Sequence, residues 1–130
     1  MSDPRDPTSF TPLRPVEFEI LLVLTGGESH GYGMIKEVEE RSGGTNRIAT
    51  GTLYRALRRL SSTGLVAPTG RRSNGDSDEE RRRYYAITPL GRRVAAAEAR
   101  RMADQVATAR ARSLLPGFDE AGIEKEGGVG

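Results

Sequence analysis

The chain has 130 residues, 35% of them hydrophobic and 29% charged, with no Cys, no Trp and a formal net charge of +2 at pH 7. This length supports one small domain with extensions, and the lack of Cys excludes a disulfide framework or a thiolate metal site. The longest apolar run, residues 20–24, is too short to span a bilayer, and Met1-Ser2-Asp3-Pro4 lacks the build of a signal peptide, so a cytoplasmic protein with no membrane attachment is expected.

Residues 1–12 are rich in Pro, Asp and Ser, and a disordered arm is expected there. Residues 16–25 predict a helix with Val16, Ile20, Leu21 and Leu24 on one face, stopped by Gly26-Gly27. Phe18, Leu22 and Val23 make its other side apolar too, which points to a central helix or one shared with a partner. Residues 31–42 predict a second helix, with Tyr32, Ile35 and Val38 as its buried set and Gly43-Gly44 as its end.

A third helix starts with Thr50 as N-cap and ends before Gly64. On a wheel of 100° per residue, Ala56, Leu57 and Leu60 fall within about 60° of Leu53, while Arg55, Arg58 and Arg59 occupy the opposite half. Such a helix can dock through one stripe and offer guanidinium groups to a polyanion groove. Gly64-Leu65-Val66 then opens a strand, and Arg83-Tyr84-Tyr85-Ala86-Ile87-Thr88 closes it across a polar loop at 71–80 that contains Asn74-Gly75. Thr88-Pro89 is a strong start for a last helix running to about Leu115. That helix would be roughly 40 Å long. Residues 116–130 are expected to form a flexible tail.

Charge is segregated along this order. Residues 1–46 carry four basic against eight acidic side chains, residues 47–112 fifteen against six, and residues 113–130 one against four. The positive charge is mostly Arg, whose planar fork suits phosphates and guanine edges. Helix, strand, loop and strand in this order, with basic residues on one helix face and one hairpin, predict a winged helix-turn-helix that reads DNA. The expected fold is therefore α+β, mainly helical with a small β-hairpin: a winged-helix domain over residues 13–88 and a long dimerisation helix over 89–115.

The set His30-Gly31-Tyr32, Gly51-Thr52-Leu53-Tyr54-Arg55-Ala56-Leu57, Gly64-Leu65, Arg82-Arg83-Tyr84-Tyr85 and Thr88-Pro89-Leu90-Gly91 resembles the PadR family of bacterial transcriptional regulators. The resemblance covers roughly residues 13–105. It implies a winged-helix DNA-binding domain, a single C-terminal helix used for dimerisation, and release by a small-molecule inducer. Thr50-Gly51 stands where Ser-Pro is common, and Gly33 where a polar or acidic residue is usual, which weakens the starts of those two helices.

Double-stranded DNA is thus the expected partner, with a second copy of the chain. Thr50, Gly51, Thr52 and Arg55 lie early in the third helix, where residues meet base edges. Arg58 and Arg59 lie further along, near phosphates, and Arg71, Arg72 and Arg82 flank the wing. Tyr54 can pack against the domain or reach a phosphate. Asp78-Glu79-Glu80 beside Arg81-Arg82-Arg83 suits local ion pairs that stabilise little. In the last helix Ala95, Ala99, Met102, Val106 and Ala109 form an a/d-like seam, reinforced by Phe18 and Leu22. The alternative is a winged helix used only to bind protein. One His, no Cys, no P-loop and no carboxylate pair on a common face argue against an enzyme. No cofactor or metal is expected, and His30 reads as a hydrogen-bonding residue near a helix start.

Overall fold

The computed structural model describes residues 5–72 and 83–116. The chain divides into two compact units, one ending at Glu98 and the other starting at Ala99. Among the described residues the order is a 3-10 turn (Pro7–Phe10), α1 (Pro15–Thr25), β1 (Ser29–His30), α2 (Gly31–Arg41), α3 (Thr50–Ser62), β2 (Val66–Arg72), β3 (Arg83–Ile87) and α4 (Pro89–Ala111). These four helices and a three-stranded antiparallel sheet, ordered β1-β3-β2, form the α+β fold expected from the sequence.

The core of the first unit is built where the helical stripes meet. It takes Ile20, Leu21 and Leu24 from α1, Met34 and Val38 from α2, and Leu53, Leu57 and Leu60 from α3. Leu65 and Val66 close it below, and Leu90 and Val94 of α4 complete it. The apolar α1 is central as expected, with Val16, Phe18 and Leu22 half-buried around the fully buried set.

Helix α2 buries Ile35 and Val38 as expected and departs from expectation at Tyr32. Tyr32 is 57% exposed, and Met34 is buried with Ile35 and Val38. The buried row is centred on Gly31, Met34, Ile35 and Val38, which leaves Tyr32 and Lys36, one turn apart, on its outer edge. The close approach at Gly31 explains the choice: a Cβ there would strike the Tyr54 ring on α3.

Helix α3 also starts differently. Ala49, in extended conformation, is the N-cap, and its carbonyl accepts the Leu53 N–H at 3.0 Å. Thr50 is the first helical residue, so the Thr hydroxyl does not cap the helix.

The sheet has one strand more than the expected hairpin. β1 pairs with β3 through Ser29↔Tyr85 and His30↔Tyr84, and two residues are too few to show a strand pattern in sequence. β2 begins at Val66 and continues through Arg71 and Arg72, which the sequence reading assigned to the loop. It is an edge strand, where Pro68 is tolerated, and its register shifts between Pro68 and Arg72.

The Thr88 side chain joins the turn between α3 and β2 to α4 in three ways. Its hydroxyl donates to the Gly64 carbonyl at 2.6 Å, contacts the Leu65 carbonyl at 3.1 Å, and accepts the Gly91 N–H at 3.0 Å as the helix cap. Gly91 lies so near the Leu65 carbonyl that any Cβ would collide with it. The expected Thr-Pro start is thus realised, with a Gly one turn on for close packing.

The boundary expected at residues 88/89 falls inside packed structure, because Leu90, Val94, Ala95 and Glu98 are all buried. In the second unit α4 ends at Ala111, earlier than expected. Ser113 turns to a φ of 65°, and the Leu114 N–H returns to the Ala109 carbonyl at 2.8 Å, closing the helix before Pro116.

The arm expected to be disordered is ordered from Arg5 onward. Asp6 caps the 3-10 turn by accepting the Thr8 N–H at 3.0 Å, and Phe10 and Leu13 pack against the core.

Candidate nucleic-acid interface

Five side chains of α3 face the core: Leu53, Tyr54, Ala56, Leu57 and Leu60. What remains outward is a stripe of Gly51, Arg55 and Arg58, with Thr50 exposed beside it and Thr52 half-buried. Gly51 at the head of this stripe keeps backbone accessible beside Arg55. The Arg55 guanidinium contacts the Thr52 hydroxyl at 3.4 Å, and among the described residues it has no carboxylate partner.

Two of the predicted contact residues are committed elsewhere. Tyr54 is only 7% exposed and packs against Gly31, in line with the packing role among its two expected ones. Arg59 donates from Nε to Glu17 Oε2 on α1 at 3.2 Å, and with 36% of its side chain exposed it is tied to α1 at the border of the exposed stripe.

The wing base is built on stacked rings. His30 caps α2 by accepting the Gly33 N–H on Nδ1 at 3.0 Å, as its position before a helix suggested. Its ring stands at 90° to that of Tyr84 on β3 in a T-shaped pair, centroids 5.1 Å apart. The Arg71 guanidinium lies over the Tyr84 ring at 4.3 Å, with Glu28 3.8 Å away. Arg72 lies in β2 opposite Arg83. Arg82, together with the Asp78-Glu79-Glu80 and Arg81 cluster, lies outside the described residues.

Beside the start of α3 is a cleft that sequence reasoning missed. Tyr32, Ile35, Lys36, Glu39, Arg47 and Thr50 line it. Arg47 pairs with Glu39 at 2.7 Å, and Arg41 bridges Glu19 and Glu37 at 3.1 Å each, so both Arg side chains are matched locally by carboxylates. The signal in sequence was the i,i+4 pair Tyr32 and Lys36, hidden by assigning Tyr32 to the core.

Of the expected dimer seam, Ala95 is 6% exposed and belongs to the core of the first unit. In the second unit Ala99 is exposed, Val106 is 39% exposed, and Met102 and Ala109 are half-buried.

Two consecutive helices, the second with an outward basic stripe, followed by an antiparallel ribbon and backed by a short third strand, define a winged-helix protein. Residues 20–97 match the Transcriptional regulator PadR-like family, and the chain belongs to that family. It is 27% identical to a transcriptional regulator from Clostridium thermocellum, with a TM-score of 0.61 over 74% of this chain and 87% of that one. It is 26% identical to a PadR family transcription regulator from Clostridium difficile, with a TM-score of 0.60 over 76% of this chain and 97% of that one. It shares the fold of Bacillus subtilis PadR, solved in complex with operator DNA, at 23% identity and a TM-score of 0.54 over 64% of this chain and 46% of that one. In sequence it is 36% identical over 84 residues, 65% of this chain, to an uncharacterized 37.1 kDa protein in transposon TN4556 of Streptomyces fradiae. The match spans 22% of that protein's length.

Proposed function

We propose that the chain is a sequence-specific DNA-binding repressor that works in the cytoplasm as a homodimer on an inverted-repeat operator. The observation that carries this reading is the exposed Gly51, Arg55 and Arg58 stripe on a helix whose other side is buried. Arg55 has no carboxylate partner among the described residues, which supports its use in a bidentate contact to a guanine edge. Arg58 and Arg71 serve the phosphate backbone, and the Tyr32, Lys36 and Thr50 edge of the cleft adds donors beside the recognition helix. Bacillus subtilis PadR, which shares this fold, was solved in complex with operator DNA, and that supports a DNA-binding reading.

Dimerisation would use the α4 residues Ala99, Met102, Val106 and Ala109, with Phe18 and Leu22 of α1. Alanines bury little area, so the larger side chains Met102 and Val106, and the exposed Leu114 and Leu115, matter most. Twofold symmetry then sets operator halves about one turn, roughly 34 Å, apart. Repression follows without chemistry, since a dimer seated across a promoter blocks polymerase. A small-molecule inducer would act by changing the spacing of the two recognition helices.

Binding isotherms on a selected duplex and on random DNA at several salt concentrations test this. Arg55→Ala should cost about 1–3 kcal/mol on the selected duplex and far less on random DNA. Arg58→Ala and Arg71→Ala should weaken both alike and lower the salt slope by about one per lost contact. If none of the three changes affinity or slope, the stripe is ordinary solvated surface and the fold serves protein binding instead.

A further inference from the structure

Helix α4 brings a carboxylate into the core. Leu90, Val94 and Glu98 form one row along it, and Glu98 is completely buried where a third hydrophobe would pack. Burying a charge costs several kcal/mol before its partners are counted, so its presence calls for directional bonds that a Leu would not supply. One of them is the Leu13 N–H, donated to Glu98 Oε2 at 2.9 Å.

Four residues later Glu17 makes a matching pair of bonds. Its Oε1 accepts the Arg14 N–H at 3.0 Å, and its Oε2 accepts Arg59 Nε at 3.2 Å. The side chains of Glu17 and Arg59 are 13% and 36% exposed, so this pair is shielded on one side. Two carboxylates therefore hold consecutive amides, Leu13 and Arg14, at the entrance of α1. One anchors that entrance to α4, and the other extends it to α3.

The consequence lies in the geometry of α3. Its stripe of Leu53, Ala56, Leu57 and Leu60 is attracted to the core without directional preference. Apolar packing resists lifting the helix more than it resists a small roll or slide. A hydrogen-bonded ion pair at Arg59 resists both, and Arg59 is one helical turn from Arg55. Base readout requires side chains held within about 0.5 Å and 10–20°.

We propose that Glu98, Glu17 and Arg59 are positioning residues that hold α3 at the setting from which Arg55 reads a base edge, and that Arg59 is not itself a phosphate contact. This rests on the DNA-reading function proposed above.

The test uses the full chain, a duplex selected by the wild type from a random pool, and a scrambled duplex. Affinities are measured at three salt concentrations, below the melting transition of each variant. Arg59→Met and Glu98→Leu should each lower the selected-to-scrambled affinity ratio by roughly two- to thirtyfold, with the wild-type salt slope kept. The double variant should be no worse than the poorer single one. Glu98→Gln, which keeps an acceptor for the Leu13 N–H, should restore most of the ratio. If Arg59→Met weakens both duplexes alike and lowers the slope by about one, Arg59 is a phosphate contact and the proposal is overturned. A lower melting temperature with an unchanged ratio overturns it as well, since the residues are then only structural. Should Glu98→Leu fail to fold, Arg59→Met at its half-exposed site decides the matter alone. A wild type that prefers no duplex refutes the DNA-reading function itself, and this inference with it.

Discussion

The guanidinium of Arg71 lies 4.3 Å above the ring of Tyr84, so the base of the wing presents its charge from an aromatic platform. That platform packs at right angles to the ring of His30, the residue that caps α2. Wing and helix-turn-helix are thereby joined through two rings.

Removing the platform should loosen Arg71 without unfolding the domain. A cation–π contact at an exposed site contributes about 0.5–1 kcal/mol, so Tyr84→Leu should weaken duplex binding by roughly two- to fivefold regardless of sequence. Tyr84→Phe keeps the ring face and should bind like the wild type. Fluorescence anisotropy on selected and random duplexes checks both.

Gly31 is required by the approach of Tyr54. Gly31→Ala should destabilise the domain by about 1–3 kcal/mol through overpacking. Tyr54→Leu in the same chain should recover part of that loss by making room. Urea unfolding of the single and double variants reads the coupling directly.

Thr88→Val keeps the shape of the side chain and removes the hydroxyl that joins Gly64, Leu65 and Gly91. Loss of a cap together with an unpaired carbonyl should cost about 1–3 kcal/mol. Thermal denaturation followed by circular dichroism should show a clear fall in Tm. An unchanged Tm would mean that water replaces the hydroxyl at no cost.

Truncation after Glu98 keeps the whole first unit and removes Ala99, Met102, Val106 and Ala109. The product should be a folded monomer with weaker DNA binding, because each half-site loses its tethered twin. Truncation after Arg92 also removes the buried Val94, Ala95 and Glu98, and should melt at a lower temperature. Light scattering gives the mass, and denaturation separates the two cuts. A full-length chain that is monomeric at micromolar concentration refutes the dimer.

The sequence alone determined whatever depends on neighbours along the chain. Helical periodicity showed α1 as either central or shared with a partner, and divided α3 into an apolar stripe and an Arg face. Cap chemistry marked Thr88-Pro89 as a helix start and His30 as a residue at the head of α2. Charge counting located the basic segment. All of these are short-range properties, fixed by residues within a few positions of one another.

Only the tertiary structure decided which polar groups were already engaged. A wheel places Arg59 outward with Arg55, yet Glu17, 42 positions away, holds Arg59 and leaves Arg55 to solvent. Glu98 looks like one more charge on a long helix until Leu13, 85 positions away, donates to it in the core. Tyr54, left open between packing and a phosphate contact, is buried where α2 and α3 touch at Gly31, and Tyr32, expected in the core, is exposed. Periodicity states which way a side chain leaves its helix. What it meets there depends on elements distant in sequence, as Glu17 does for Arg59 and Leu13 for Glu98.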